Sequence, residues 1–292
     1  MNKRYIYPWY FLVVALALYV FVYIAPNLIG VYDSFTDHTK YSSSVSWVGF
    51  SNYVTIFSKG ENYLSFIGNT LEFTLFTTLL KTILAFAFAL LLLNPLPGRD
   101  VFRGVIFAPA ILSFLVTGLI FKSFLHPDSG FLNQLLRFVG LGALAKGWLI
   151  STNYALLSCI CVDTWRGTGY LMTIMIAGLQ SIPRMYFEAA EIDGAGWFGR
   201  LRFVTVPLLV PSISVTLVLN IVYGLSVFDV IYVLTNGGPA NATGVLNTAV
   251  FTEFAGGYYA MANALSTVMF ILMAGIAIYV VRALNKRIVE VS

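Results

Sequence analysis

An all-α chain that crosses a membrane several times is what three observations predict. Of the 292 residues, 59% are hydrophobic and only 10% charged, and mean hydropathy is +0.83, a composition that fits a bilayer and not a soluble core. Six stretches approach or exceed the twenty or so apolar residues that one crossing needs. Clusters of proline, glycine and charge separate them. The expected spans are about 9–31, 63–93, 101–125, 154–179, 205–234 and 259–284, in one transmembrane domain over 1–292.

The first span follows Lys3 and Arg4. Its charge order is that of a signal peptide, but its apolar run is too long and no small-residue cleavage site follows. It reads as a retained span. The stretch from Asp33 to Gly60 is polar and aromatic, an outer loop whose Trp47 and Phe50 suit the membrane interface. The run Asn94-Pro95-Leu96-Pro97-Gly98 ends the second span. Between the third and fourth, His126 to Asn153 is a loop with turn residues at Pro127-Asp128-Ser129-Gly130.

Lysine and arginine set the orientation. With the N-terminus inside, ten of the seventeen basic residues are cytoplasmic, among them Arg99, Arg103, Arg184, Arg200, Arg202 and Arg282. The outer loops hold Lys40, Lys59, Arg137 and Lys146. Six spans then put both termini in the cytoplasm. Nucleic-acid binding is not supported, because the basic residues form no continuous stripe.

Ionisable residues inside spans are functional candidates. Glu72 and Lys81 fall in the second span, Lys122 near the end of the third, and Asp163 and Arg166 in the fourth. Asp163 and Arg166 are one turn apart and are expected to pair within the helix. Asp229 is expected at the interface, near the outer end of span five. Cys159 and Cys161 point about 200° apart on a helix, so they read as packing residues, not a disulfide or a metal pair.

Catalytic chemistry is missing. There is no Gly-x-x-x-x-Gly-Lys-Ser/Thr and no His-Glu-x-x-His, and both histidines, His38 and His126, fall in outer loops. Asp193-Gly194-Ala195 matches only the start of a phospho-alcohol transferase motif, whose further aspartates are absent between Phe198 and Leu219. An enzyme is not expected, and no cofactor or metal is expected in this chain.

The longest charged interruption of the second half, about 181–204, carries the clearest signal. Ser181 and Pro183 suit a helix start, and Gly194 suits a stop. Between them Met185, Tyr186, Ala189, Ala190 and Ile192 gather on one side, with Arg184, Glu188 and Glu191 on another. Glu188-Ala189-Ala190, three residues, Gly194, nine residues, Val204, one residue, then Val206-Pro207 resembles the EAA loop of ABC-transporter permeases. Both aliphatic positions are valine here, where the family pattern has isoleucine and leucine.

A second block sharpens the likeness. Thr235-Asn236-Gly237-Gly238-Pro239 closes span five and is similar to the Thr-x-Gly-Gly-Pro signature of carbohydrate-uptake permeases of the maltose and glycerol-phosphate type. Trp165-x-Gly167 and Ala177 to Pro183 extend it upstream. The resemblance runs from the second span onward.

That resemblance implies a type I ABC importer in a bacterial or archaeal cell membrane. Its parts are a second, unlike permease, two ATP-binding subunits carrying the ATP-Mg, and an external solute-binding protein that delivers a sugar. It assigns ATPase coupling to Arg184, Glu188, Ala189, Ala190, Glu191, Asp193, Gly194 and Pro207. In span five, Asn220, Tyr223, Gly224 and Val227 share one helix face. In the maltose-type family that face lines the substrate site, and Tyr170 matches a further pocket position. The same spacing also suits plain helix packing. Glycerol-3-phosphate or another small polar solute is the alternative cargo, and a secondary transporter the alternative machine.

Overall fold

The computed structural model describes residues 9–58, 63–93 and 96–285. Lys3, Arg4, Lys59, Lys286, Arg287 and the Asn94-Pro95 stop lie outside the described residues. Helices run in chain order as α1 (Trp9–Tyr19), α2 (Ala25–Asp33), α3 (Ser51–Phe57), α4 (Tyr63–Leu93), α5 (Arg99–Ile111), α6 (Phe114–Phe124) and α7 (Phe131–Phe138). After these come α8 (Ala155–Gln180), α9 (Arg184–Ile192), α10 (Trp197–Arg200), α11 (Val206–Leu225), α12 (Asp229–Thr235), α13 (Leu246–Gly256) and α14 (Tyr259–Asn285).

Not every expected span is a single long apolar helix. Among the described residues, four helical stretches are long and apolar enough to cross a membrane: Leu12–Asp33, Tyr63–Leu93, Trp197–Leu225 and Tyr259–Leu284. The bent pair α5 and α6 makes a fifth if counted as one crossing. The expected span 101–125 is this pair, bent by 98°. Pro109 removes a donor from the last turn of α5, Leu112 is extended, and Ser113 restarts the helix by accepting a hydrogen bond from the Val116 N–H. The expected span 154–179 is helical as α8, yet Asp163, Arg166 and its hydroxyls make it more polar than those four.

Span five also differs from expectation. It starts earlier, at Trp197, and stops at Leu225, with Ser226 to Phe228 separating it from α12. Asp229 opens α12 and is exposed. The interruption after α9 is correspondingly shorter than the expected 181–204. Two π-turns, Val20–Ile24 and Leu201–Thr205, each end two residues before a proline, Pro26 and Pro207. A proline inside a continuing helix leaves one carbonyl without its donor and crowds the turn before it. A widened turn accommodates both.

The chain divides into two compact units. One comprises residues 1–64 and 249–270. There Asp33 accepts from Asn263 at 2.9 Å and pairs with His38 at 2.8 Å, and Asn52 holds the carbonyls of Ser34 and Thr36. Phe35 packs among Trp47, Phe50 and Tyr53, with ring centroids 5.3–5.4 Å away. Trp47 and Phe50 remain exposed.

The other unit, residues 65–248 and 271–292, is built around α8. Two apolar cores flank that helix. Phe73, Ile160, Ile231 and Leu234 fill one, with Cys159, while Cys161 is exposed. Ala89, Met172, Met175, Leu179 and Leu209 fill the other. Close approach comes from glycine: a Cβ on Gly169 would lie 2.1 Å from the Ile106 carbonyl of α5. Gly169→Ala should therefore force α5 and α8 apart and cost about 1–3 kcal/mol, read as a lower unfolding temperature in detergent. Gly104→Ala, on α5 with nothing within 4 Å of its Cβ position, should hold or raise that temperature, since alanine is the better helix former.

Candidate functional site

Two sites emerge, one inside the α8-centred unit and one at its surface. The first begins with an ion pair. Lys81 on α4 places its Nζ 2.6 Å from Asp163 Oδ2 on α8, with side chains 3% and 1% exposed. Room for the lysine comes from Gly167, since a Cβ there would lie 2.8 Å from Lys81 Cε. Tyr223 on α11 donates its hydroxyl to Asp163 Oδ1 at 2.7 Å, and its ring lies 4.5 Å from Lys81 Nζ. One carboxylate thus ties three helices, and each charge has a partner.

Arg166 does not pair with Asp163, as the one-turn spacing suggested. Its Nε and Nη2 donate to the Leu112 carbonyl at 3.1 and 3.0 Å, the carbonyl left free where α5 breaks from α6. The guanidinium carbon stands 3.6 Å from the Phe114 ring centroid. Phe114 in turn stacks on Tyr223, 6.2 Å between centroids and 11° between planes. The bend in the third span and the ion pair are parts of one constellation.

A cavity of about 330 Å³ opens beside it. Its walls include Lys81, Asp163, Arg166 and Tyr223, with Phe107 and Tyr170. Asn220 also lines it, only 5% exposed, and its Nδ2 finds no hydrogen-bond partner. Of the span-five face, Asn220 and Tyr223 reach the cavity together with Tyr170. Gly224 and Val227 do not: a Gly224 Cβ would meet Thr74 at 2.9 Å, and Val227 is packed in the first core. The helix ends just beyond, at Leu225, so Val227 no longer follows the helical register. Glu72 and Lys122 are exposed on α4 and α6, away from this cluster.

Sequence reasoning missed Phe107, Phe114 and the Leu112 carbonyl. A proline at 109 inside an expected span was the available sign that a free carbonyl, and a donor to meet it, would be nearby.

The second site is α9. Pro183 precedes it with extended backbone, φ −60° and ψ 137°. Ser181 does not start this helix; it caps α8 and donates its hydroxyl back to the Gly178 carbonyl. Gly194 has φ +74° and ends α9, with the Ala195 N–H reaching the Ala190 carbonyl at 2.9 Å. Tyr186 and Phe187 turn inward and pack on the second core. Arg184, Met185, Glu188, Ala189, Glu191, Ile192 and Asp193 are exposed, Ile192 at 87%, and Ala190 is half-buried. The expected apolar face is thus split between inside and outside. Glu191 forms an ion pair with Arg200 on α10, and Pro207 lies in the first turn of α11, half-buried.

Residues 75–290 match the family described as the binding-protein-dependent transport system inner membrane component. The chain belongs to this family. It is a multi-pass membrane permease of transport systems, and transport, not catalysis, is its business. A probable ABC transporter permease, YurN, of Bacillus subtilis is 33% identical over 95% of this chain and 96% of its own. The trehalose/maltose transport permease MalF of Thermococcus litoralis is 32% identical over 92% and 90%. The multiple sugar-binding transport permease MsmF of Streptococcus mutans is 33% identical over 98% and 97%. A chain in the crystal structure of a bacterial importer of alginate shares the fold, with a TM-score of 0.82 over 95% of this chain and 94% of that one at 22% identity.

Removing one member of the ion pair should be worse than removing both. Lys81→Met strands a buried carboxylate at a cost of about 3–5 kcal/mol. The expected reading is a lower yield of folded protein and a lower unfolding temperature. Lys81→Met/Asp163→Leu should recover much of that loss, measured in the same detergent.

Proposed function

We propose that this permease forms one half of the pathway of an ATP-driven importer for a sugar or oligosaccharide. A second, unlike permease completes the pathway, one of two ATP-binding subunits docks on α9 and the other on the second permease, and an external binding protein delivers the solute. The observation that carries the substrate class is the cavity at Tyr170, Asn220 and Tyr223. Aromatic faces suit the C–H faces of a sugar ring, and the unpartnered Asn220 amide suits its hydroxyls. Tyr223 is expected to offer its ring alone, because Asp163 already takes its hydroxyl. The trehalose/maltose and multiple-sugar relatives favour the same class.

Six crossings are the reading that best fits this role, with both termini in the cytoplasm. α8 is then a polar crossing sheathed by its neighbours, and the α5–α6 pair is a broken one. Coupling falls to α9. ATP binding would draw the two ATPases together and pull the exposed face of Glu188, Ala189 and Ile192. Tyr186 and Phe187 would carry that displacement into the core below the cavity.

A second reading has an observation of its own. Asp163 pairs with Lys81, and among the described residues Arg166 in the cavity wall has no ion-pair partner. That arrangement favours a solute with an anionic group, such as glycerol-3-phosphate. Competition between neutral saccharides and glycerol-3-phosphate for uptake separates the two.

Stepwise reconstitution tests the machine. Liposomes holding this chain alone should accumulate no sugar, and accumulation should begin only with the second permease, the ATPase, the loaded binding protein and ATP all present. Uptake by the lone chain on a proton or sodium gradient would instead make it a secondary transporter. Within the full set, Gly194→Val should abolish most uptake while the chain still inserts. Among the described residues no atom beyond its chain neighbours lies within 4 Å of that Cβ position, so the damage comes from forcing a β-branched residue to positive φ. Normal uptake by Gly194→Val would remove α9 from the coupling.

A further inference from the structure

We propose that α7 is an interfacial anchor, seated in the headgroup region of the bilayer with its outer face on lipid. The proposal rests on the membrane reading and is independent of what the cavity transports.

The helix is apolar on both sides: Leu132 packs inward on the first core, and a second apolar stripe faces out. Its inner side carries Asn133, 1% exposed, which donates to the carbonyls of Pro127 and Lys146 at 2.8 Å and accepts from Trp148 Nε1 at 2.8 Å. Its outer side carries Phe131, Leu135 and Phe138 at i, i+4 and i+7, all exposed, Phe138 at 89%. A helix facing water turns its apolar stripe inward and its amides outward. Here the Asn133 amide is consumed inside, holding the loop in shape, while two phenyl rings and Leu135 are displayed outside with Gln134 among them. The display continues past the helix through Val139, Leu141 and Leu144.

Two features name the occupant as lipid. The first is continuity. α6 presents Leu115, Leu119 and Ile120 outward, and its end joins α7 through Phe124, whose ring centroid is 5.5 Å from that of Phe131. The apolar surface of a span thus runs directly onto α7. The second is charge. Arg137 on α7 and Lys146 in the loop after it are exposed, and Asp128 is the sole acid from His126 to Asn153. Apolar rings flanked by cations fit the boundary between acyl chains and phosphate groups.

The test uses the whole permease, alone and within its assembled transporter, in nanodiscs containing phosphatidylglycerol. An environment-sensitive fluorophore is attached at Phe138→Cys or Leu135→Cys, with Cys161→Ser removing the exposed native thiol. Ser129→Cys, exposed in the polar turn before the helix, reports from outside the apolar face. A nitroxide on the lipid near the headgroup should quench labels 135 and 138 strongly, and aqueous iodide should quench them weakly; label 129 should show the reverse. Adding Arg137→Glu and Lys146→Glu should raise iodide quenching at 138. Strong iodide quenching at 138 in the parent overturns the proposal, as does shielding from both quenchers that appears only in the assembled transporter, which would mean a protein covers the face. Unchanged quenching in the double glutamate variant overturns the headgroup pairing.

Discussion

A carboxylate inside a membrane protein has to be met by a cation or hydrogen-bond donors, and Asp163 is met by both. Lys81 reaches it from α4 and Tyr223 from α11, so a single residue of α8 fixes the spacing of three helices. An isolated charge there would cost far more than any one apolar contact returns. The neighbouring packing follows from satisfying it. Gly167 is bare because Lys81 passes over it, and Tyr223 is turned so that its hydroxyl faces α8 while its ring faces the cavity. Arg166 extends the same logic by one turn, satisfying the Leu112 carbonyl that the α5–α6 break exposes. Irregular backbone at membrane depth is tolerable where another side chain takes up its free groups.

This arrangement explains why α8 is polar for a crossing helix. Its exposed surface is small, with most of its residues from Ala155 to Leu179 buried among α4, α5, α6, α11 and α12. Hydrophobicity is required where a helix meets lipid, and α8 meets protein instead. Glycine takes over the work that leucine does elsewhere. At Gly169 and Gly178 the facing elements come so close that a Cβ would overlap the Ile106 carbonyl or the Ser212 hydroxyl. Association of helices in lipid relies on this kind of close contact, because lipid tails are as apolar as leucine and offer no hydrophobic drive.

Much of this was legible in the sequence, and the failures have identifiable causes. Hydropathy found the helices but assumed that each apolar run is one straight rod. Pro109 and the Ser226-Val227-Phe228 break both lie inside apolar runs, where hydropathy is blind to them. Helical periodicity put Asn220, Tyr223, Gly224 and Val227 on one face, which holds only while the helix continues, and α11 ends at Leu225. Spacing along one helix suggested Asp163 with Arg166, whereas the opposite charge came from Lys81, 82 residues earlier. Local spacing cannot report contacts between distant elements. The α9 stretch was legible where its backbone demands it, at Pro183 and Gly194. Its packing was less so, because Phe187 was not singled out and Tyr186 turns inward while Met185 and Ile192 turn outward.

The two sites are linked by a continuous packed route, and under the proposed role of α9 that route constrains how a pull on it would reach the cavity. Tyr186 and Phe187 of α9 rest on a core shared by Met172, Met175 and Leu179 of α8 and Leu209 of α11. Further along α8 and α11 come Asp163, Asn220 and Tyr223 at the cavity. Close-packed side chains transmit displacement without absorbing it, whereas a π-turn and a proline at the start of α11 supply a place where the helix can bend. A pull on α9 would then move α8 as a rod and flex α11 at Leu201–Pro207. The cavity lies between those helices, so its width is the quantity such a motion changes. The ion pair sets a limit on that change. Lys81 and Asp163 are already in contact, and separating them while buried is costly, so α4 and α8 would move together, and α11 would move against them only by giving up the hydrogen bond from Tyr223 to Asp163.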